Sequence, residues 1–308
     1  MAESEPSRRR QQVAQSAERF GGVLSRTVLR DLGADRHVIA REVAGDRWAI
    51  HGVQTVAVHT RPLEAPALWW RAVWETGSGV AALDGVSALL AAGVTGYDEA
   101  AVHVSVPDAY SPKRTPGVRI HRVVRLDREL MTDRGVPRVR PALAAVRAAH
   151  WAVSDRQAAL VLVLPIQQGI VSGPQLRAAT SMWSGRRRRA LVPQLVQDIT
   201  DGATSLGELD FARMCRVRRL PEPDRQVVRR TPRGRVYLDV RWGRSRLVVE
   251  IDGSHHGEAL TVISDHLRQN EVALTRDIVL RISLLGLRLA QDAFLDQVER
   301  ALHLANAA

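Results

Sequence analysis

Residues 235–252, RVYLDVRWGRSRLVVEID, set the fold of the C-terminal third of the chain. Val236, Leu238, Val240 and Trp242 fall on one side of an alternating pattern, and Arg235, Tyr237, Asp239 and Arg241 on the other. That is the two-residue period of a strand with one apolar face. After Gly243-Arg244-Ser245, RLVVEID alternates again: Leu247, Val249 and Ile251 against Val248, Glu250 and Asp252. A hairpin that matches the two apolar faces puts Asp239 opposite or diagonal to Glu250, with Cβ atoms about 5 Å apart if directly opposite. Asp252 comes two residues on, roughly 7 Å from Glu250 along the strand. Three carboxylates then crowd one patch of sheet. Such crowding is destabilising unless a cation offsets it or one carboxyl takes up a proton. Oxygen ligands grouped this way suit Mg²⁺ or Mn²⁺. The same acids can instead pair with Arg235, Arg241 and Arg246 on a solvated polar face, and alternation does not choose between the two.

Outward from the hairpin, residues 204–308 read as helix, hairpin, long loop, helix, strand, helix. Ser205-Leu206-Gly207-Glu208 has the spacing of a capping box, so Glu208 serves either as a helix cap or as a further acid of the site. Between Arg213 and Arg246 stand twelve arginines against three acids, Glu222, Asp224 and Asp239. Arg213, Arg216, Arg229, Arg230 and Arg235 are the candidate phosphate contacts of that flank. A solvated arginine-rich surface is the competing account.

The run Glu250-Ile251-Asp252-Gly253-Ser254-His255-His256 continues into Asp265-His266-Leu267-Arg268, Asn270 and Val279-Leu280-Arg281. With Glu208 and Leu238-Asp239-Val240, these residues make 204–308 resemble the Vsr-like endonuclease domain of the PD-(D/E)XK superfamily, in a widespread bacterial branch. The resemblance implies a restriction-endonuclease-like mixed sheet flanked by helices and metal-dependent hydrolysis of a DNA phosphodiester. It implies Mg²⁺ or Mn²⁺ held by Asp239, Glu250 and the backbone carbonyl of Ile251, with Asp252 as a further ligand or orienting the water. The superfamily's usual lysine is replaced here by Asp252, and the whole chain has one lysine, Lys113. Proton transfer then falls to His255 or His256, since an imidazole near pKa 6.5 accepts a proton at neutral pH. Both histidines also read as ordinary polar loop residues. Arg268 stabilises transition-state charge as a fixed cation.

At the other end, residues 1–10 read as a disordered basic tail and 11–58 as three short helices followed by a hairpin. Ser25 caps a helix that Gly33 ends, and DRHVIAREVAGD forms the next. Val38, Ile39 and Val43 share one face of that helix, leaving Arg36, His37 and Arg41 mostly elsewhere. RWAIHGVQTVAV, residues 47–58, turns at Gly52. This is the order of a winged helix-turn-helix, a DNA-binding arrangement, and a solvated helical subdomain is the alternative. Residues 21–53 resemble the N-terminal segment of AbiEi-type antitoxins, which are transcriptional repressors of toxin–antitoxin systems. That implies DNA, and a cognate toxin or neighbouring-operon protein, as partners.

Residues 59–203 form an α/β middle region. It holds two apolar helices, EAPALWWRAVWETG and VAALDGVSALLAAGV, then two strands, AVHVSVPD and GVRIHRVV. Ser87-Ala88-Leu89-Leu90 followed by these strands is also similar to the antitoxin family. Trp69, Trp70 and Trp74 fit one helical stripe of core. His103 and His121 can meet across a strand pair. Arg186 to Arg189 read as a linker or solvated helix start.

The chain of 308 residues is long enough for two or three domains. Lys+Arg 44 minus Asp+Glu 33 gives +11, which favours a polyanionic partner. The single Cys215 excludes an intramolecular disulfide and a cysteine-based zinc site, and reads as a buried small hydrophobe. MAESEPSRRRQQ is polar, and the longest apolar run, AALVLVLP at 158–165, falls far short of the about 20 residues a membrane span needs. The expectation is a cytoplasmic α+β multidomain protein. It is either a metal-dependent DNA endonuclease or a non-catalytic repressor that keeps the nuclease-like fold as a binding module.

Overall fold

A computed structural model describes residues 5–132, 134–208, 211–230, 236–245, 247–252, 263, 265–270 and 279–307. The chain is mixed α and β, with three small sheets among the described residues, and divides into two compact units, 1–144 and 145–308. The division differs from the expected breaks near 58 and 203.

The N-terminal unit opens with α1 (Glu5–Glu18), β1 (Val23–Ser25), α2 (Arg26–Asp31), α3 (Arg36–Ala44), β2 (Ala49–Ile50) and β3 (Thr55–Ala57). Helix begins at Glu5, so the tail expected over 1–10 is helical across its basic residues. Val13 and Ala17, one turn apart, are fully buried and anchor α1, and Arg10 reaches Glu42 at 3.8 Å. Ser25 Oγ accepts from the Val28 amide, the cap the sequence indicates, and Asp35 caps the next helix by accepting from the amides of His37 and Val38. Leu24, Leu29, Ala34, Ile39, Trp48 and Val56 close a core beneath the antiparallel sheet β1-β3-β2.

Next come α4 (Ala65–Gly77), β4 (Ala82–Leu83), α5 (Gly85–Ala91), β5 (Val102–Pro107) and β6 (Val118–Val123). Trp70 and Trp74 stack 5.2 Å apart and close on Phe20, a core role as expected. The single helix expected over 80–94 is broken. Ala82 and Leu83 pair with Ser105 and Val104, and Asp84 caps α5 through the Gly85 amide. Asp84 is fully buried and also accepts from Ser105 Oγ at 2.6 Å, so capping and sheet pairing outweigh helical continuity.

Glu75 on α4 fastens the hairpin tip between β2 and β3. Its carboxylate accepts from the amides of Val53 and Gln54 and from Thr55 Oγ1 at 2.8–2.9 Å. Arg71 donates to the His51 carbonyl from the same helix. Gly52 lies under this carboxylate, where a Cβ would come within 2.4 Å of Glu75.

The C-terminal unit begins within α6 (Pro141–Trp151) and continues through α7 (Asp155–Gln167), α8 (Gly173–Met182), α9 (Leu191–Glu208) and α10 (Phe211–Val217). Strands β7 (Arg225–Arg230), β8 (Val236–Trp242) and β9 (Leu247–Asp252) form an antiparallel meander. Helix α11 (265–270) precedes β10 (Val279–Ser283), which joins β9 in parallel, and α12 (Leu284–Leu289) and α13 (Gln291–Ala307) complete the unit. The sheet order is β10-β9-β8-β7. Its apolar face carries Leu238, Val240, Trp242, Leu247, Val249 and Ile251, all buried as their alternation requires. Helix α9 packs on β8, and α13 on β9.

Helix α9 runs straight through the boundary expected at 203/204. Val192, Leu195, Val196 and Ile199 are buried along it, and buried Asp198 pairs with Arg288 of α12 at 2.8 Å. Ser205 therefore lies inside a helix rather than at its start, and the N-cap position that a capping box needs is absent there. Strand β7 is a third strand beyond the expected hairpin. Its arginines obscure the pattern, and only Val227 and Val228 mark it as apolar.

His103 Nδ1 lies 3.2 Å from His121 Nε2, one diagonal step across parallel β5 and β6. Burial pushes His103 down to about 4, against the charge of Glu99, which raises it, with Arg119 lowering it further. The unfolded chain takes up the proton near 6.5, so between that pH and about 4 it binds more protons than the folded chain. The stability associated with His103 is therefore complete above pH 6.5 and lost as pH falls toward 4. Urea melts across this window should show the slope, and His103→Gln should flatten it.

Candidate functional site

The polar face of the C-terminal sheet is an ordered grid. Asp239 on β8 pairs directly with Glu250 on β9, which pairs in turn with Arg281 on β10. The neighbouring row runs Tyr237, Asp252, Ser283, and the row on the other side Arg241, Val248, Val279. On β7, Val227 sits opposite Asp239, Arg229 opposite Tyr237 and Arg225 opposite Arg241. The two acids thus stand face to face, as the hairpin register expects.

Each acid has an arginine as its cation. Arg241, two residues after Asp239 on the same strand, bonds it in bidentate fashion: Nε to Oδ1 and Nη2 to Oδ2, both 2.9 Å. Asp239 is 4% exposed, whereas the Arg241 side chain is 47% exposed. Glu250 meets Arg281 through one longer contact of 3.4 Å, with both side chains partly exposed. A bidentate, charge-assisted pair is among the stronger polar contacts a protein makes.

Arg281 is held from behind. Asn270 on α11 donates to the Arg281 carbonyl and accepts from its amide, both at 2.8 Å, much as a neighbouring strand would. Asn270 also donates to Gln297 of α13, which donates to the Leu267 carbonyl. Asn270 and Gln297 are both 2% exposed. A buried amide of this kind fixes an edge strand because leaving its partners unpaired is costly.

The other expected residues divide. His255, His256, Arg235 and Arg246 lie outside the described residues. Glu208 is in the last turn of α9, and its side chain is not among those described. Arg268 is exposed and pairs with Asp265, one turn back on α11. Arg213 and Arg216 are exposed on α10, with Arg216 bound to Glu222 at 2.9 Å. Arg229 and Arg230 stand on β7 at the register positions of Tyr237 and Val236, at the edge of the sheet two strands from Glu250. Their side chains, too, are outside those described. In the N-terminal unit Arg36, His37 and Arg41 are exposed on α3, and Arg36 donates to His37 at 3.2 Å.

His266, adjacent to Asp265, carries chemistry that the sequence alone did not single out. Its Nδ1 is buried and has no hydrogen-bond partner among the described residues. Burial pushes its pKa below the usual histidine range, Asp252 and Asp265 pull it upward and Arg281 opposes them. Its signal in sequence was a histidine one helical step from the acid of an Asp-x-x-Arg pair.

The cation already on Asp239 bears on whether these acids suit a divalent ion. A guanidinium bonded once to each oxygen stands in for a cation, and hard carboxylate oxygens from adjacent strands match Mg²⁺ or Mn²⁺ in chemistry. Among the described residues no three acid, imidazole or thiol side chains converge to hold a metal ion. Cys215 takes no part: it is fully buried, and burial pushes its thiol up to about 11. No helix among the described residues is long and apolar enough to cross a membrane. No family model and no curated protein matches this chain.

Asn270→Ala should destabilise the C-terminal unit by about 2–3 kcal/mol, since it strips β10 of two backbone hydrogen bonds and removes the donor that Asn270 gives Gln297. Denaturant melts measure this directly. A loss below about 0.5 kcal/mol would show that Asn270 does not hold the edge strand.

Proposed function

We propose that this chain is a DNA-binding protein whose C-terminal unit hydrolyses DNA phosphodiesters with a divalent metal ion. The observation that carries the proposal is the direct pairing of Asp239 with Glu250 on a sheet of three antiparallel strands joined by a parallel fourth. The reading is supported by the order helix, β8–β9 hairpin, helix, strand, helix that the sequence leads one to expect, with β7 added at the sheet edge. Asp239 and Glu250 supply the carboxylate ligands, the Ile251 carbonyl a further oxygen, and Asp252 a ligand or a hydrogen-bond acceptor for water. An ion so held polarises a phosphoryl oxygen and lowers the pKa of its bound water. His255, His256 and, on its position, His266 are the groups to accept a proton. Arg268 contributes fixed positive charge.

The order helix, strand, two capped helices and hairpin in the N-terminal unit supports reading it as a winged helix-turn-helix that binds DNA. Helix α3 would enter the groove, offering Arg36, His37 and Arg41 from its exposed face. Replacing Arg36 and Arg41 together with Ala should weaken DNA binding and lower the slope of log affinity against log salt by about two. An unchanged slope would remove α3 from the interface.

A second reading is favoured by the two ion pairs. Acids already neutralised by Arg241 and Arg281 suit a non-catalytic repressor of the antitoxin type, with the C-terminal unit as a DNA- or toxin-binding module. Cleavage of supercoiled plasmid and single-stranded DNA with Mg²⁺ or Mn²⁺ separates the two. Wild type should cut, while Asp239→Ala and Glu250→Ala fall to background and keep their fold. Salt-sensitive DNA binding without any cleavage would establish the repressor reading instead.

A further inference from the structure

We infer that Arg241 is a built-in competitor for the metal seat: its guanidinium holds Asp239 closed, and a divalent ion binds only by displacing it. This deepens the proposed nuclease function and rests on Asp239 and Glu250 being metal ligands. Both Asp239 oxygens are already engaged by Arg241, at 2.9 Å each, where a metal would draw its own bonds. One carboxylate cannot give the same lone pairs to both cations. The measured affinity of the site is then its intrinsic metal affinity reduced by the strength of the ion pair.

The two partners differ in their freedom to part. Asp239 is nearly buried, fixed by strand pairing on both sides to β7 and β9. Arg241 is about half exposed and sits one residue before Trp242 and the turn beyond it, so its head can rotate into water without opening a cavity. The arginine is therefore the partner that leaves, and the acid stays in place. Glu250 is held more loosely, by the single 3.4 Å contact to Arg281, and offers an incoming ion its first foothold. Arg241 also keeps the acid pair compatible with a folded sheet when no metal is bound, since it supplies the charge the two opposed carboxylates require.

The test is direct Mn²⁺ binding to the full-length protein, read from loss of the free-ion electron paramagnetic resonance signal. Variants Arg241→Gln, Arg241→Lys and Glu250→Gln run beside wild type, with melting curves to check folding. Arg241→Gln should bind Mn²⁺ about tenfold more tightly, the size expected for losing one charge-assisted contact. Arg241→Lys keeps the charge but not the two-pronged geometry and should gain severalfold. It carries the test alone if the glutamine variant does not fold. Equal affinity in wild type and both Arg241 variants, with binding lost in Glu250→Gln, overturns the competition and leaves the metal site standing. Mn²⁺ binding by none of the proteins overturns the competition and the metal site together.

Discussion

Two carboxylates facing each other across adjacent strands impose a demand that the C-terminal unit is organised to meet. Asp239 is almost out of water, so its charge has to be compensated by the protein itself or by a bound cation. Arg241 answers from the same strand. Glu250 is answered by Arg281 from β10, a strand that reaches its place through a crossover containing α11. Arg281 in turn depends on Asn270, and Asn270 on Gln297 of α13. A buried amide on a distant helix thus helps to place the cation beside Glu250. Breaking the chain at any link leaves either an unpaired charge or an unpaired backbone group. The cost is greatest at buried Asp239 and at the Asn270–Arg281 backbone bonds, and smaller at the partly exposed Glu250–Arg281 pair.

The arginine excess is spread over different tasks. Arg218 ties the end of α10 to Asp292, Asp296 and Glu299 of α13. Arg288 satisfies the buried Asp198, Arg47 the buried Glu42, and Arg188 bonds Asp155 and the Ala152 carbonyl. Each of these pairs cancels an acid against an arginine, so the net charge of +11 stands, but it does not say where on the surface the excess lies. What remains informative is location. Arg36 and Arg41 lie on the exposed face of a short capped helix whose other face, through Ile39, enters the core.

Alternation makes the two faces of the β8–β9 hairpin legible, because shifting a strand by one residue would turn Val240 and Ile251 out to solvent. It leaves Asp239 opposite or diagonal to Glu250, and the direct pairing comes from the structure. The cap at Ser25 is legible for a similar reason: a short polar side chain before an apolar period leaves little choice. Where long-range pairing decides the outcome, the sequence is silent. Ala82 and Leu83 are good helix residues, and they become a strand because β5 offers a buried edge and Asp84 restarts the helix. Strand β7 is hidden by its own arginines. Asn270 stands out in sequence only as part of a motif, since nothing local announces that an asparagine will bond another segment's backbone. The Asp239–Arg241 pair is one of two outcomes open to the sequence, as spacing of i and i+2 on a strand permits contact without requiring it.

Glu75 changes how the N-terminal region can be regarded as a unit of inheritance. Three donors from the hairpin tip converge on a carboxylate that lies about twenty residues further along the chain, on α4. A piece ending at residue 58 would contain every helix and strand of the small sheet and yet lack the acceptor that sets its tip. The arrangement is thus not a detachable cassette: transplanting it onto another protein requires carrying α4 along, or supplying a carboxylate in its place. Its natural seam lies further downstream, beyond the second small sheet, β4-β5-β6.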